Sequence, residues 1–171
     1  MLGYVVARRR GEVDGLIRAV AERLQAEGMP LAGAIQTNVE TGPLSKCHMD
    51  LQVLSGDAVV RISQNLGTLS RGCRLDADGL ERAVGLVGAG LERGAALLIV
   101  NKFGKQEADG RGFRPVIAEA LAAGVPVLTA VNAANLDAFL TYAEDLAEEL
   151  PDEVGAMTEW CRARVAAAAE G

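Results

Sequence analysis

The sequence is short of aromatic residues and of long apolar runs. One Trp, two Tyr and three Phe stand among 171 residues, so the core must be built mainly from Ala, Val and Leu. The unbroken apolar runs fall far short of the ~20 residues that a membrane-spanning helix needs. The apolar run before Arg8 is also too short for a secretory signal. These absences predict a cytoplasmic protein that does not insert into a membrane.

Cysteine and positive charge are scarce as well. The three cysteines, Cys47, Cys73 and Cys161, are an odd number without CxxC spacing, which is typical of a reducing compartment. A net charge of −6, from 17 basic and 23 acidic residues, argues against broad nucleic-acid binding. The basic residues nevertheless concentrate in loops near residues 8, 71 and 102, which indicates a local anion site.

Apolar runs alternate with helical patterns along the chain. Strands are predicted at 2–7, 31–36, 96–100 and 126–131. One helix is predicted from Val13 to a C-cap at Gly28, and another from an N-cap at Asp76 or Asp78 to its end at Gly94. Further helices are predicted at 111–123, 136–150 and 153–168. A β-hairpin (48–54 and 58–62) and a polar loop (63–74) are inserted between them. This order predicts one α/β domain over 1–171, with a mostly parallel sheet, helices on both faces, and residues 152–171 as a C-terminal helix appended to the core.

The loop after the first strand lies where a P-loop protein holds phosphates. Its candidate ligand residues are Arg8, Arg9, Arg10, Gly11 and Gly15. It has no Lys and no Ser or Thr at the expected places, but arginine can also bind an anion, and the next helix begins with free N–H groups. Glu12 and Asp14 would compete for that positive helix end. A solvated arginine run before an acidic first turn is therefore an equal alternative.

The stretch 97–114 turns from a buried strand into polar, glycine-rich sequence, and ligands of α/β proteins bind beyond such strand ends. A P-loop NTPase has a magnesium-binding Asp here, often followed by a catalytic Glu, and both acids are absent. The candidate ligand residues are Asn101, Lys102, Gly104 and Lys105, and Glu107 is the candidate catalytic acid if the protein is an enzyme. We interpret the stretch as half of a metal-free anion site, with solvated lysines as the alternative. The interpretation requires its strand to neighbour the first strand.

Two other segments could carry chemistry. The loop at 61–76 offers Ser70, Arg71, Cys73 and Arg74 to an oxyanion or a base, although an ordinary exposed loop is the alternative. Cys47, His48 and Cys73 could ligate a metal. Their spacing matches no zinc pattern, and adjacent strand residues point to opposite faces. We therefore predict no metal site.

Together these residues resemble a bacterial family catalogued as domain of unknown function 2478, over roughly residues 2–142. The resemblance rests on Cys47 with Met49-Asp50-Leu51, on Arg61-Ile-Ser-Gln64 with Leu66-Gly67, on Ser70-Arg-Gly-Cys-Arg-Leu-Asp76, and on Asn101-Lys-Phe-Gly-Lys105 with Glu107 and Gly110-Arg-Gly112. The layout is also similar to small P-loop nucleoside triphosphatases, whose Asp-Glu-Ile-Gly-x-Met-Glu run matches here at Gly104 and Glu107 only. The family resemblance implies a connection with molybdate transport, and hence an oxyanion-handling or cofactor-handling role.

These observations predict a P-loop-NTPase-like fold and a non-hydrolytic, anion-binding accessory protein. Its ligand would be molybdate, tungstate or a nucleotide phosphate, and its partner a second copy or a transport-related protein. The alternatives are a divergent nucleoside triphosphatase or phosphotransferase, a thiol or metal protein built on the two cysteines and His48, and a purely structural partner protein.

Overall fold

The computed structural model describes residues 1–9, 11–39, 48–64 and 74–171, with the backbone alone at Arg74. The strands are β1 (Leu2–Ala7), β2 (Leu31–Val39), β3 (His48–Val53), β4 (Val59–Arg61), β5 (Ser63–Gln64), β6 (Arg74–Leu75), β7 (Leu97–Phe103), β8 (Val127–Asn132) and β9 (Ala147–Glu149). The helices are α1 (Glu12–Ala26), α2 (Ala77–Glu92), α3 (Lys105–Ala108), α4 (Arg114–Ala122), α5 (Leu136–Ala143) and α6 (Val154–Glu170), with 3₁₀ turns at Ala133–Asn135 and Glu144–Leu146.

Seven strands form one sheet in the order β4-β3-β2-β7-β8-β1-β9. Strands β2, β7, β8, β1 and β9 are parallel, and the β3–β4 hairpin extends one edge in antiparallel register. This confirms the predicted mostly parallel sheet with an inserted hairpin. Strands β5 and β6 pair separately, so the two ends of the predicted polar loop at 63–74 form a short antiparallel ladder.

Helices cover both faces of the sheet, as predicted. The alternation along β7 explains why, since Leu98 and Val100 pack in one core cluster while Leu97 and Ile99 pack in the other. The first cluster lies under α2, α4 and α5, and the second lies under α1 and α6. A central strand that is buried on both faces must be apolar at consecutive positions, and this is the pattern seen before Asn101.

The strand order corrects one expectation that the anion site needed. Strands β1 and β7 are not neighbours, because β8 lies between them and pairs with both. Sequence order alone does not place a later strand in the sheet, so the adjacency could not be derived. Strand β7 is also longer than predicted and ends at Phe103, so that Asn101 and Lys102 are strand residues.

The acidic segment near the C-terminus was predicted wrongly as helix. Helix α5 ends at Ala143, and residues 147–149 form the edge strand β9 beside β1. Helix α6 accounts for this, since Trp160 Nε1 and Arg164 Nη2 donate to Glu148 Oε2 at 2.9 and 2.7 Å. The predicted helix at 111–123 begins later, at Arg114, and a separate short turn, α3, precedes it.

Helix α6 buries Cys161 completely against the α1 face. Burial raises the pKa of this thiol to about 12 from an ordinary value of 9.0. Since the thiolate is the reactive form and each pKa unit changes its population tenfold, we expect alkylation of Cys161 to be slower than that of a free peptide by on the order of 100-fold or more at pH 8. Peptide mapping after iodoacetamide treatment, with and without denaturant, measures this. Equal labelling in both conditions would contradict the burial.

Candidate functional site

A cleft of ≈ 470 Å³ opens at the carboxyl edge of the sheet, between the ends of β1, β7 and β8 and the start of α1. Its described lining residues are Ala7, Arg8, Arg9, Gly11, Val13, Asp14, Lys102, Phe103, Gly104, Ala130, Val131, Asn132 and Ala134. The lining comes from the last residues of these three strands, from the residues that follow them and from the first turn of α1, where the chain leaves the core. Although β1 and β7 are not adjacent, their ends meet in this cleft because α1 reaches across the end of β8.

The start of α1 presents backbone donors to the cleft. Gly11 takes the N-cap position with φ 81°, a left-handed conformation that glycine adopts without a steric cost. Glycine has no side chain with which to cap the helix, and no side chain in the described part of the chain caps the N–H groups of the first turn. Val13 is buried beneath this turn and anchors it to the core.

A cluster of three polar side chains ties α1 to β7. Asn101 Nδ2 donates to Asp14 Oδ1 at 2.9 Å, and Lys102 Nζ lies 3.2 Å from the same oxygen. Asn101 is only 3% exposed, and its Oδ1 accepts from the backbone N–H of Gln36 at 2.9 Å. The Asn101 amide therefore connects β7 to α1 through its nitrogen and to β2 through its oxygen. Asn101 positions the helix start, and its hydrogen bonds are already made within the protein.

The charges around the cleft are unequal. Arg8 and Arg9 are exposed and line it together with Lys102, whereas Asp14 is the one carboxylate among its described lining residues. Since Lys102 is paired with Asp14, the two arginines supply the surplus positive charge. An exposed pair of guanidinium groups beside free helix N–H groups is a chemically suitable arrangement for a phosphate or another oxyanion.

A second cavity of ≈ 320 Å³ lies on the other side of the β7 end. Its described lining residues are Gln36, Leu51, Ile62, Leu75, Leu80, Asn101, Lys102, Gly104, Lys105, Gln106, Glu107 and Phe113. Lys102 and Gly104 line both cavities, so the end of β7 forms the wall between them. We call the first cavity the cleft and this one the apolar cavity.

Glu107 is a buried carboxyl beside the apolar cavity. It is 4% exposed, and its two oxygens accept from the backbone N–H groups of Gly104 at 2.9 Å and Phe113 at 3.0 Å. Burial raises the pKa of Glu107, and these two backbone N–H groups oppose that shift. Gly112 leaves room for the carboxyl, since a Cβ built there would lie 2.1 Å from Glu107 Oε1. Glu107 thus holds the 104–113 segment together.

A P-loop fold implies a magnesium ion with the nucleotide, and the described residues of the cleft do not fit one. Magnesium is held by a hydroxyl on the helix and a carboxylate at the strand end. Here Asn101 and Lys102 occupy the strand end, and the Asp14 carboxylate already accepts hydrogen bonds from both. A cation would have to displace a lysine ammonium from its only nearby carboxylate in the described lining.

The structure gathers part of the predicted site. Five of the predicted ligand residues line the cleft: Arg8, Arg9, Gly11, Lys102 and Gly104. Gly15 is exposed on α1 and lines neither cavity. Asn101 does not line the cleft but is hydrogen-bonded to Asp14, which does. Lys105 lines the apolar cavity. The remaining predicted positions lie outside the described residues or, for Arg74, outside the described side chains: Arg10, Cys47, Ser70, Arg71, Cys73 and Arg74.

Sequence reasoning missed the contribution of β8. Asn132, the last residue of β8, and Ala134 just beyond it line the cleft, and Asn132 Oδ1 accepts from the backbone N–H of Asn135 at 3.0 Å. The available signal was the Asn-Ala-Ala-Asn run that follows the buried strand, which meets the same criterion that selected Asn101. Gln36 and Gln106 beside the apolar cavity carried no comparable signal, because their places depend on the strand order.

Metal binding and membrane insertion were the subjects of two further predictions. Within residues 1–9, 11–39, 48–64 and 74–171, no three His, Cys, Asp or Glu side chains come close enough to hold a metal ion. His48 begins β3 opposite Val39, but its two predicted cysteine partners lie outside these ranges. Across the same part of the chain, no helix combines the length and the apolar character that crossing a membrane requires.

Comparisons with known proteins identify the family and the fold. A family model described as Protein of unknown function (DUF2478) matches residues 2–160. The Molybdenum import ATP-binding protein ModC 2 of Bradyrhizobium diazoefficiens is 34% identical over 160 residues, which are 92% of this chain and only 18% of that protein. The solution structure of a human cancer-related nucleoside triphosphatase has a TM-score of 0.62 at 16% identity and covers 97% of this chain and 95% of its own. The last likeness shows the fold, which is P-loop-NTPase-like as predicted.

Proposed function

We propose that this chain, which belongs to the DUF2478 family, is a non-hydrolytic accessory protein that binds the phosphate of a nucleotide in the cleft. The observation that carries the proposal is the pair Arg8 and Arg9 beside the uncapped start of α1. The cleft volume of ≈ 470 Å³ falls in the range of about 300–1,000 Å³ that is usual for small-molecule sites. A bare tetrahedral oxyanion would fill only a small part of it, which favours a nucleotide over molybdate or tungstate.

The absence of hydrolysis is supported by the same residues. Asn101 and Lys102 stand where a hydrolase needs acids, and Glu107 has both oxygens engaged by backbone N–H groups. The only described carboxylate in the cleft, Asp14, is bonded to Asn101 and Lys102, so it is not available as a base. Binding should therefore proceed without magnesium and should persist in EDTA.

We expect the double variant Arg8→Gln/Arg9→Gln to lose nucleotide affinity. Each arginine can donate charge-assisted hydrogen bonds to a phosphate, so removing both should raise the Kd for ATP or GTP at least about tenfold. Isothermal titration calorimetry in EDTA measures this. The matched control is Arg23→Gln/Arg93→Gln, which removes the same charge from exposed residues at the opposite edge of the sheet. An equal loss in both double variants would indicate a general charge effect and contradict the site.

A thermal-shift screen tests the choice of anion. Because a ligand at ~100 times its Kd stabilises a protein by ~2.7 kcal/mol, a tight ligand should raise the melting temperature visibly. The panel should hold ATP, GTP, AMP, phosphate, sulfate, molybdate and tungstate, the last two because one relative is a molybdenum importer component. A shift with molybdate alone would replace the nucleotide in the proposal by an oxyanion. No shift with any of them would favour a role as a structural partner of a transport-related protein.

Hydrolysis is the competing hypothesis, and Glu107 favours it through its burial and raised pKa, features that catalytic acids share. Phosphate release from Mg-ATP and Mg-GTP decides the matter. We expect none above background for the wild-type protein. Turnover that a folded Glu107→Gln variant abolishes would establish a nucleoside triphosphatase instead.

A further inference from the structure

We propose that the apolar cavity holds the base of the nucleotide whose phosphate lies in the cleft, an inference that rests on the proposed function. Its described walls are mostly hydrocarbon: Leu51, Ile62, Leu75, Leu80 and Phe113. These side chains come from different elements around β2 and β7, so the cavity is built by the fold and is not a gap beside a single loop. Its ≈ 320 Å³ is sufficient for a small heterocycle.

The charged groups around the apolar cavity already have partners within the protein. Lys102 is paired with Asp14, and Lys105 Nζ lies 3.1 Å from Asp109 Oδ2. The Glu107 carboxyl accepts hydrogen bonds from two backbone N–H groups. Because both lysines have counter-ions and both Glu107 oxygens have donors, the chemical class that fits this cavity is an uncharged, largely apolar ring.

The polar part of the lining suits the edge of a base. Gln36 and Gln106 are half-buried residues of the cavity lining, and Gln36 Nε2 also donates to Asn38 Oδ1 at 2.9 Å. A primary amide offers one acceptor and two donors, which is the set of groups that the edge of a purine or pyrimidine presents in return. Apolar walls with a few amide groups at the rim are the usual composition of a site for a neutral heterocycle.

The cleft and the apolar cavity are adjacent. Lys102 and Gly104 line both, and only the end of β7 separates them. The proposed ligand would cross this wall at Gly104, which contributes no side chain to it. A molecule with a phosphate at one end and a ring at the other can place the phosphate beside Arg8 and Arg9 and the ring beside Phe113.

Filling the apolar cavity should weaken nucleotide binding while leaving phosphate binding intact. The variants are Gln106→Trp and Leu75→Trp, which enlarge half-buried lining residues on two different elements. The control is Leu86→Trp, which adds the same ring at an exposed position of α2. Calorimetry should give a Kd for AMP or GMP that rises about tenfold in the filling variants and does not change in the control, because the apolar contact of the base is lost. The Kd for inorganic phosphate should stay the same in all three.

The outcomes separate this inference from the function on which it rests. Unchanged AMP and GMP affinity in a folded filling variant, with phosphate still bound, would overturn the base site alone. Failure of the wild-type protein to bind either phosphate or nucleotide would overturn both proposals. Photolabelling of the wild-type protein with 8-azido-AMP needs no variant. Label in peptides that contain Gln106 or Phe113 supports the base site, and label confined to the segment after β8 overturns it.

Discussion

Replacing Gly33 by alanine should remove a large part of the stability of the fold. Gly33 lies inside β2 with φ 127°, and a Cβ built there would lie 1.9 Å from the backbone oxygen of Ile99 on the paired strand β7. Neither strand can move away without breaking the hydrogen bonds of the β2–β7 ladder at the centre of the sheet. Alanine at this position would also be strained by the positive φ. For both reasons we expect the free energy of unfolding to fall by at least about 4 kcal/mol, a large part of the ~5–15 kcal/mol of a typical domain.

Urea unfolding followed by circular dichroism measures this loss. Gly85→Ala is the matched control, because Gly85 is exposed in the middle of α2 with nothing near its absent Cβ. Alanine favours a helix over glycine by about 0.8–1.0 kcal/mol, so the control should be slightly more stable than the wild-type protein. A Gly33→Ala protein within 1 kcal/mol of wild type would show that the strands do not approach as closely as described.

Gly33 also shows what the sequence could and could not predict about the fold. The apolar runs at 31–36 and 97–100 predicted two buried strands, because burial on both faces requires consecutive apolar residues. The need for glycine at position 33 follows from the approach of β7, a contact between residues far apart in sequence. The place of β8 between β1 and β7 likewise depends on contacts between residues far apart in sequence. Local patterns specify elements, whereas the order of the elements depends on packing that no single segment contains.

Some residues of the candidate site could be predicted from the sequence, whereas their mutual contacts could not. Arg8, Lys102 and Gly104 were found because each follows a buried strand, and ligands bind at such strand ends. That Asn101 and Lys102 would both bond to Asp14 was not predictable, since the strands that position them were not known to converge across β8. The Asp14 carboxylate, expected only to oppose an anion, instead neutralises Lys102 and leaves the arginines as the surplus charge.

Removing the Glu107 carboxyl should cost the protein about 3 kcal/mol. In Glu107→Ala, the backbone N–H group of Phe113 loses its acceptor in a buried position and that of Gly104 in a partly buried one, and the loss of a buried acceptor costs about 1–3 kcal/mol. Glu107→Gln keeps one acceptor and avoids burying a charge, so its loss should be smaller, about 1 kcal/mol. Glu119→Gln on the exposed face of α4 is the control and should be neutral. Thermal and urea unfolding at pH 7.5 rank the three variants.

The pH dependence of stability and the binding of the Gln variant test whether Glu107 is structural or catalytic. Because burial raises the pKa of Glu107 in the folded state, its contribution to stability is full below the ordinary value of 4.5 and falls as the pH rises through the raised pKa. The Glu107→Gln protein should lack this fall, so the wild-type advantage over it should be larger at pH 4 than at pH 7.5. If Glu107 only holds the 104–113 segment, the Gln variant should bind inorganic phosphate with an unchanged Kd, because Glu107 does not line the cleft. A folded Gln variant that binds normally but loses a measurable turnover of the wild-type protein would make Glu107 a catalytic acid and contradict the accessory role.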